Sequence, residues 1–390
     1  MKWKFYSLAF VAGMSILTAC SSDDNNDNDG NGGNGNGNEI ENGTILKGTI
    51  TSDVTLAAGN TYKLSGEYIV EEGATLHIEE GVKIIAVYDD IADYILVKQG
   101  GKINAVGTPD KPIVMTSEKE EPGAWGGIHI CGRAHTNAEG GKGSSEIGGA
   151  VYGGNNDADN SGTLQYIRLE YTGFAFDEEH EANGISFYGV GNGTIVDHCQ
   201  AYKGSDDGFE FFGGSVNVSN LVAVSCSDDS FDWTEGWNGK GTNLVAYQEA
   251  ESTLGYDCDC LMECDNNGSN NAATPVAHPV LKNLILVGNG GSKQGIRLRA
   301  GTEVEIDNAK VCGKGQPLTV ETALTENALK NGTSKLTNIT LTSELSCKEG
   351  IYTHADFIAV TSNKVDANLS YSSFEDIKKE CSWMNGSWVK

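Results

Sequence analysis

The feature that most constrains the fold is a phrase that occurs twice, 22 residues apart. Residues 205–212 read SDDGFEFF, and residues 227–234 read SDDSFDWT. Both copies place two acids and a small residue before an aromatic–acid–aromatic alternation, which is the period-2 pattern of a β-strand. A repeat of this length is typical of a solenoid, in which each copy forms one turn and stacks on the next.

A second regularity runs through the C-terminal half. Five short apolar strands share an asparagine followed by a small or aliphatic residue: Asn220, Asn243, Asn283, Asn308 and Asn338. Together with 51 glycines and only 6 prolines, this spacing predicts an all-β, right-handed parallel β-helix over residues 43–345. Equivalent asparagines would lie about 4.8 Å apart and form a structural ladder of hydrogen-bonded amides at a buried turn.

In such a coil the repeated phrase gathers acids on one face. Alternation directs the aromatic side chains inward and Glu210 and Asp232 outward. Ser186 precedes them in this column, and Arg297 follows them. A second column holds four residues: Asn183, Asp207, Asp229 and Gln294. Stacked carboxylates about 4.8 Å apart repel by roughly 3–4 kcal/mol at an effective dielectric near 20, so a partner should relieve them.

Three partners would relieve this repulsion. The first is calcium, which takes about six to eight oxygen ligands. The candidate metal ligands are Asp206, Asp207, Asp228 and Asp229. The second partner is the positive charge of Arg297 or Arg299, and the third is screening by solvent.

Two classes of function fit this face. The first is a non-catalytic binding or adhesion module for an extracellular glycan or surface protein. Its ligand-binding candidates are Glu210, Asp232, Trp237 and Arg297. The alternative is a polysaccharide lyase or glycoside hydrolase, because paired carboxylates can divide acid and base roles. Its catalytic candidates are Asp207, Asp229, Arg297 and Arg299. The binding module is preferred, because the Gly-His-Gly motif of β-helix pectinases is missing.

The first 42 residues predict export and anchoring. Two lysines precede an apolar run over residues 5–17, which is typical of a signal peptide over residues 1–19. Residues 17–20, LTAC, resemble a bacterial lipobox in which Cys20 becomes the lipid-modified N-terminus. Residues 20–42 are rich in Ser, Asp, Asn and Gly, which indicates a flexible tether. We therefore expect a lipoprotein anchored in the outer-membrane lipid through Cys20, with its folded domain at the cell surface.

The formal net charge of −27 excludes partners that need a basic surface. So acidic a chain should repel nucleic acid and anionic lipid, and should attract divalent or organic cations. We therefore expect no nucleic-acid partner. We also expect a monomer.

Nine cysteines follow Cys20, and export exposes them to disulfide-permissive conditions. Three lie in residues 248–282, which we interpret as a loop inserted out of the coil: Cys258, Cys260 and Cys264. A local disulfide is favoured there over a zinc site, for which His278 is the nearby fourth ligand. Residues 346–390 lose the repeat and are interpreted as a C-terminal cap that a disulfide between Cys347 and Cys381 would staple.

Several phrases together are similar to a family of right-handed β-helix surface lipoproteins from Bacteroidetes and marine bacteria. They are EGATL at 72–76, AVGTPDKPI at 105–113, WGGI at 125–128, DDGFEFFGG at 206–214, DSFDWTEGW at 229–237 and GIRLRAG at 295–301. The resemblance implies the β-helix and the cell-surface setting, and it implies no catalytic residues. The chain departs from that family in the cysteine-bearing insert and in the C-terminal cap.

Overall fold

A computed structural model describes residues 38–89, 91–176 and 180–390. The predicted signal peptide, Cys20 and most of the predicted tether lie outside the described residues. Within this part of the chain, no helix has the length and apolar character needed to cross a membrane. Residues 38–40 already form a strand that pairs with residues 54–56. The coil therefore includes residues that we assigned to the tether.

Parallel strands form the body of the molecule. The first rungs contain β1 Asn38–Ile40, β2 Ile45–Ile50, β3 Val54–Leu56, β4 Thr61–Val70, β5 Thr75–Ile78, β6 Lys83–Ala86, β7 Tyr94–Val97, β8 Lys102–Val106, β9 Ile113–Ser117 and β10 Ile128–Cys131. Two short strands then pair antiparallel in a separate sheet: β11 Gly143–Ser144 and β12 Val151–Tyr152. The middle rungs contain β13 Gly162–Glu170, β14 Ile185–Tyr188, β15 Ile195–Tyr202, β16 Phe209–Phe212, β17 Asn217–Val224, β18 Phe231–Thr234 and β19 Lys240–Tyr247. The last rungs contain β20 Met262–Cys264, β21 Val280–Val287, β22 Gln294–Leu298, β23 Glu305–Cys312, β24 Gln316–Val320, β25 Lys335–Leu341, β26 Ser346–Cys347 and β27 Lys364–Val365. The helices are α1 Glu251–Leu254, α2 Ala323–Asn331, α3 His354–Ala359 and α4 Phe374–Glu380, with 3-10 turns at Glu139–Gly141 and Ser382–Met384.

Twenty-five of these strands belong to one hydrogen-bonded system that wraps into a coil. One face, the site sheet, runs from β7 through β10, β14, β16, β18, β20 and β22 to β24 and β26, with every pairing parallel. The other two faces share long strands such as β13, whose first half pairs with β8 and whose second half pairs with β9. The predicted right-handed parallel β-helix is confirmed.

The bends of the long strands explain the asparagine phrase. Asn220, Asn243, Asn283 and Asn308 each have φ between +55° and +62°, a left-handed conformation that asparagine tolerates better than most residues. Nδ2 of the last three donates to Oδ1 of the preceding asparagine, over 2.8 Å from Asn243, 3.0 Å from Asn283 and 2.8 Å from Asn308. Nδ2 of Asn220, the first of the ladder, donates to Oδ1 of Asp197 over 2.7 Å. The predicted ladder is confirmed over these four rungs.

Two details of the predicted ladder are wrong. Asn338 does not continue it: its Nδ2 donates over 2.6 Å to Oδ1 of Asp307, because an ionised carboxylate is a stronger acceptor than an amide. The turn is also not buried, since Asn283, Asn308 and Asn338 are exposed. The left-handed bend directs these side chains away from the core and into solvent.

Replacing Asn243 by alanine is expected to lower the free energy of unfolding by about 2 kcal/mol. The variant loses two ladder hydrogen bonds, each of about 0.5–1.5 kcal/mol, and leaves a Cβ-bearing residue in the left-handed region. Chemical denaturation measures the change. Asn243→Gly is the matched control, since glycine adopts this φ without strain. A ladder that contributes nothing would leave the glycine variant as stable as the native chain.

Residues 346–390 do not form one cap. β26 and β27 continue the coil, and Tyr352 and Phe357 join its core at the C-terminal end. Residues beyond 368 return along the outside of the coil, where Ile377 and Trp388 are fully buried against apolar side chains such as Val222. The interpretation as a cap therefore holds for the first part only. The second part covers an apolar outer stripe that water would otherwise contact.

Every cysteine of the described residues is a free thiol, so both predicted disulfides are wrong. Cys347 packs against the core inside the coil, whereas Cys381 belongs to the outer cluster. In the insert, β20 buries Cys264 in the core, and the Cys260 thiol donates to Oδ1 of Asp259 over 3.4 Å. The zinc alternative is not supported either, because no group of closely spaced ligand atoms among the described residues joins these cysteines with His278.

Candidate functional site

The outward column of the site sheet contains one more acid than the repeat predicts. Glu210 lies beside Asp232, Asp232 beside Glu263, and Glu263 beside Arg297. The rung that carries Glu263 is β20, which lies inside the supposed loop insert 248–282. That interpretation is wrong, because β20 is in register with β18 and β22. The apolar–acid–apolar order of residues 262–264 was the signal that could have identified it.

The acids of the turn before these strands accept hydrogen bonds from the backbone of the next rung. Oδ1 of Asp207 accepts the backbone N–H of Asp229 over 2.8 Å, and Oδ1 of Asp229 accepts that of Cys260 over 2.6 Å. Asp207 is 6% exposed and Asp229 is 5% exposed. They therefore lie under the surface rather than on an open outward face. The predicted column is present, and Cys260 occupies the place between Asp229 and Gln294.

These columns form a continuous cluster of mostly buried and half-buried carboxylates, here called the acidic face. Its carboxylates are Asp206, Asp207, Glu210, Asp228, Asp229, Asp232, Asp259, Glu263 and Asp265. Burial raises the pKa of Asp207, Glu210, Asp229 and Asp232 well above the ordinary range, and neighbouring carboxylates raise each pKa further. Burial, followed by repulsion from the like charge of Asp228, also raises the pKa of Asp206 to about 8. The face therefore holds more negative charge than the protein alone stabilises.

Basic side chains close the C-terminal end of the face. Arg297 contacts Glu263 through Nη1 at 2.8 Å and Glu321 through Nε at 3.1 Å. Arg299 contacts Glu263 through Nη2 at 2.5 Å and Asp265 through Nε at 2.7 Å. Arg297 thus neutralises the missed acid Glu263, one rung away from Asp232. The charge of Arg299 does lower the pKa of Asp232, but burial and neighbouring acids outweigh it.

The remaining acids offer groups of closely spaced ligand atoms. In four overlapping sets the ligand atoms lie within 4.8 Å of one another: Asp206, Asp207 and Asp228; Asp207, Glu210 and Asp232; Asp229, Asp232 and Glu263; and Asp229, Asp259 and Cys260. Asn183 extends the second set, because its Nδ2 donates to Oε2 of Glu210 over 2.6 Å. Its own Oδ1 is buried and has no hydrogen-bond partner among the described residues, and the same is true of Oδ1 of Asp232.

A comparison with protein families assigns the coil. Residues 48–390 match the family described as the pectate-lyase-like β-helix domain. The chain belongs to this family. A search of curated proteins and a search of solved structures found no significant match. Membership of the pectate-lyase-like family fits a polysaccharide lyase or hydrolase scaffold, and assigns no chemistry to individual side chains.

The aromatic residues of this pectate-lyase-like coil serve its core. Trp237 is 1% exposed, and its ring stacks on Phe211 at 4.2 Å between centroids. Its Nε1 donates to the backbone oxygen of Val216 over 3.1 Å. Both the faces and the polar atom of the indole are thus occupied. The prediction that Trp237 binds a ligand is wrong, because alternation and the following turn place it inside the coil.

Stability is expected to fall as pH rises when no divalent cation is present. Burial raises the pKa of Asp206 to about 8 and that of Glu146 to about 7, whereas unfolded carboxyls titrate near pH 4. The folded state therefore binds more protons between these values, and the stability that those protons provide is lost as pH rises from about 4 to about 8. Melting temperatures in chelator from about pH 5 to about pH 8 test this. A flat or rising profile would contradict the raised pKa values.

Proposed function

We propose that the chain is a cell-surface lipoprotein, anchored through Cys20, whose acidic face binds calcium and, with it, an extracellular glycan. The observation that carries the proposal is the second ligand set, Asp207, Glu210 and Asp232, whose ligand atoms lie within 4.8 Å of one another. Beside it lies the unpartnered amide oxygen of Asn183, which is only 1% exposed. Buried oxygens without partners are costly unless a cation or a ligand satisfies them.

Calcium fits this set better than other common cations do. It accepts carboxylate and amide oxygens in a flexible shell of about six to eight ligands, and it keeps positions open for a sugar. The adjoining set shares Asp232 and adds Asp229 and Glu263. A second cation one rung along the coil is therefore compatible with the same face. Bound cations would also return the raised pKa values of these acids toward their ordinary range.

Binding is favoured over catalysis by the state of the basic residues. A lyase needs a basic side chain that is unprotonated and can accept a proton from the sugar. Glu321 and Glu263 instead raise the pKa of Arg297 despite its partial burial, so it stays protonated. Asp265 and Glu263 likewise raise the pKa of Arg299. His129, in the same column as Ser186, is fully buried, and its Nε2 contacts the backbone oxygen of Gly126 at 2.6 Å. None of these three side chains is placed to abstract a proton from a sugar.

Calcium-dependent retention on polysaccharides tests the proposal. The full chain is applied to a series of immobilised polysaccharides in calcium and again in chelator. We expect at least one polysaccharide to be retained about 10-fold more strongly in calcium, with no release of sugar. Asp53→Asn is the matched control for Asp207→Asn. Like Asp207, Asp53 accepts a backbone N–H, that of Thr75 at 2.8 Å, but it lies outside the acidic face. Retention that is unaffected by chelator would sink the calcium role.

A polysaccharide-cleaving enzyme is the second candidate. Its support is the scaffold of the family together with a pair of neighbouring carboxyls, Asp207 and Glu210, whose pKa values are raised. A protonated acid beside an ionised one can divide the acid and base roles of glycoside hydrolysis. Release of new sugar ends from any of the same polysaccharides would favour this candidate. Loss of this sugar release in Asp207→Asn but not in Asp53→Asn would locate the chemistry on the acidic face.

A further inference from the structure

A cleft opens beside the acidic face and is built largely from residues outside the repeat. Its volume is about 660 Å³, within the range of about 300–1,000 Å³ that is usual for small-molecule sites. We call it the amide cleft. Its lining residues are Asn137, Ala138, Glu139, Thr234, Glu235, Asn267, Gly268, Ser269 and Asn270. The segment between β10 and β11 and the segment between β20 and β21 therefore meet in one cavity.

The amide cleft is continuous with the acidic face. Thr234 follows Asp232 by two positions on β18, so alternation turns both side chains to the same side of the sheet. The backbone N–H of Asp265 donates to the oxygen of Trp233 over 2.8 Å, which places Asp265 beside Thr234 on the next rung. A ligand on the acidic face can therefore extend into the cleft.

Buried hydrogen bonds hold the two loops of the cleft together. Asn137 is 7% exposed, and its Nδ2 donates to Oδ1 of Asn266 over 2.8 Å and to the backbone oxygen of Pro275 over 3.0 Å. Its Oδ1 accepts from Nδ2 of Asn267 over 3.0 Å. The cleft is thus formed before any ligand arrives, which lowers the entropy cost of binding.

A carboxylate in the lining is held in the same way. Oε2 of Glu235 accepts from the hydroxyls of Thr136 over 2.7 Å and Tyr152 over 2.8 Å. Other polar groups of the lining can bond sugar hydroxyls: the hydroxyls of Thr234 and Ser269, the amide nitrogen of Asn270 and the carboxylate of Glu139.

The charge of the lining residues determines which class of sugar the cleft can bind. None of the nine lining residues is a lysine or an arginine, and two are acids. On the adjoining face, Lys293, Arg297 and Arg299 already contact protein carboxylates at 2.5–2.8 Å. An acidic sugar residue in the cleft would therefore meet the carboxylates of Glu139 and Glu235 and no lysine or arginine of the lining.

We propose that the amide cleft is a subsite for an uncharged sugar residue, and that the glycan bound by this protein is a neutral polysaccharide. This inference rests on the proposed glycan-binding function and names its ligand class. The hydroxyls of such a polymer bond to the polar side chains that line the cleft and, across the rim at Thr234, to the cation and carboxylates of the acidic face.

The test compares neutral and acidic polysaccharides on the full chain in calcium. The neutral probes are mannan, galactan, arabinan and β-glucan, and the acidic probes are polygalacturonate and alginate. At least one neutral probe should bind about 10-fold more tightly than either acidic one. Ser269→Trp fills the cleft and should weaken that binding at least about 10-fold. Ser343→Trp, at another exposed serine, should not weaken it. Thr234→Val, which keeps the side-chain shape, should cost about 2- to 12-fold.

The outcomes separate this inference from the proposed function. Tighter binding of polygalacturonate or alginate overturns the neutral-ligand inference and leaves calcium-dependent glycan binding standing. Unchanged binding in both Ser269→Trp and Thr234→Val overturns the cleft as the subsite. Neutral binding that survives chelator but is lost in Ser269→Trp overturns the calcium role and supports the cleft. Absence of binding to every probe overturns both proposals.

Discussion

Calcium affinity is expected to fall about 100-fold when Asp207 and Asp229 are both replaced by asparagine, equivalent to about 2.7 kcal/mol. Each acid lies in two of the four ligand sets, so the double variant changes all of them. Asparagine retains an Oδ1 that can accept the backbone N–H of the next rung, at 2.8 Å from Asp207 and 2.6 Å from Asp229. The loss therefore reports charge rather than the turn. Isothermal titration calorimetry with calcium chloride measures it.

The same variant makes a second prediction without calcium. Removing two buried carboxylates lowers the mutual repulsion on the acidic face, so the variant should melt at a higher temperature than the native chain near pH 8. Calcium at about 100 times its Kd should raise the native melting temperature by about 4 °C, since ligand linkage contributes about 2.7 kcal/mol. Equal calcium affinity in both proteins, with Asp53→Asn also unchanged, would show that the acidic face holds no cation.

Trp237→Ala is expected to lower the free energy of unfolding by about 3–5 kcal/mol, the usual cost of removing a buried tryptophan. The ring is 1% exposed, stacks on Phe211 and lies 5.8 Å from the ring of Trp233. Truncation opens a cavity between two rungs and leaves the backbone oxygen of Val216 without its donor. Chemical denaturation followed by circular dichroism measures the change.

The control for this variant is an exposed aromatic residue. Tyr88 is 53% exposed, so Tyr88→Ala should change stability by less than about 1 kcal/mol. A packing role for Trp237 and a sugar-stacking role make opposite predictions. If Trp237→Ala keeps its native stability and loses only polysaccharide retention, the ring contacts ligand and the structural assignment fails.

Much of the coil could be predicted because its information is local and repeated. The 22-residue repeat of residues 205–234 determines the rung length, and the alternation within it determines which side chains enter the core. The ladder of Asn220 to Asn308 was predictable for the same reason, since one left-handed bend recurs at each rung. Register follows directly, because a slip of one residue would turn the aromatic side chains outward.

The composition of the site could not be predicted in full, because it depends on which segments become neighbours. β20 is only three residues long and lies in a long stretch without the repeated phrase, so its in-register pairing with β18 became apparent only in three dimensions. That pairing brings Glu263 between Asp232 and Arg297 and changes which acid the arginine neutralises. The burial of Asp207 and Asp229 also escaped prediction, because neighbouring rungs and loops supply the cover.

The sequence by itself determined the solenoid, the inward aromatic residues and the column that joins Glu210, Asp232 and Arg297, because each follows from a short period. Only the tertiary structure decided that Trp237 is core, that the cysteines stay apart and that residues beyond 368 line the outside of the coil. It alone also brought the segment between β10 and β11 to the segment between β20 and β21 to form the amide cleft. Contacts between segments about 130 residues apart, such as Asn137 with Asn267, depend on the stacking of the whole coil and leave no periodic signal in the chain.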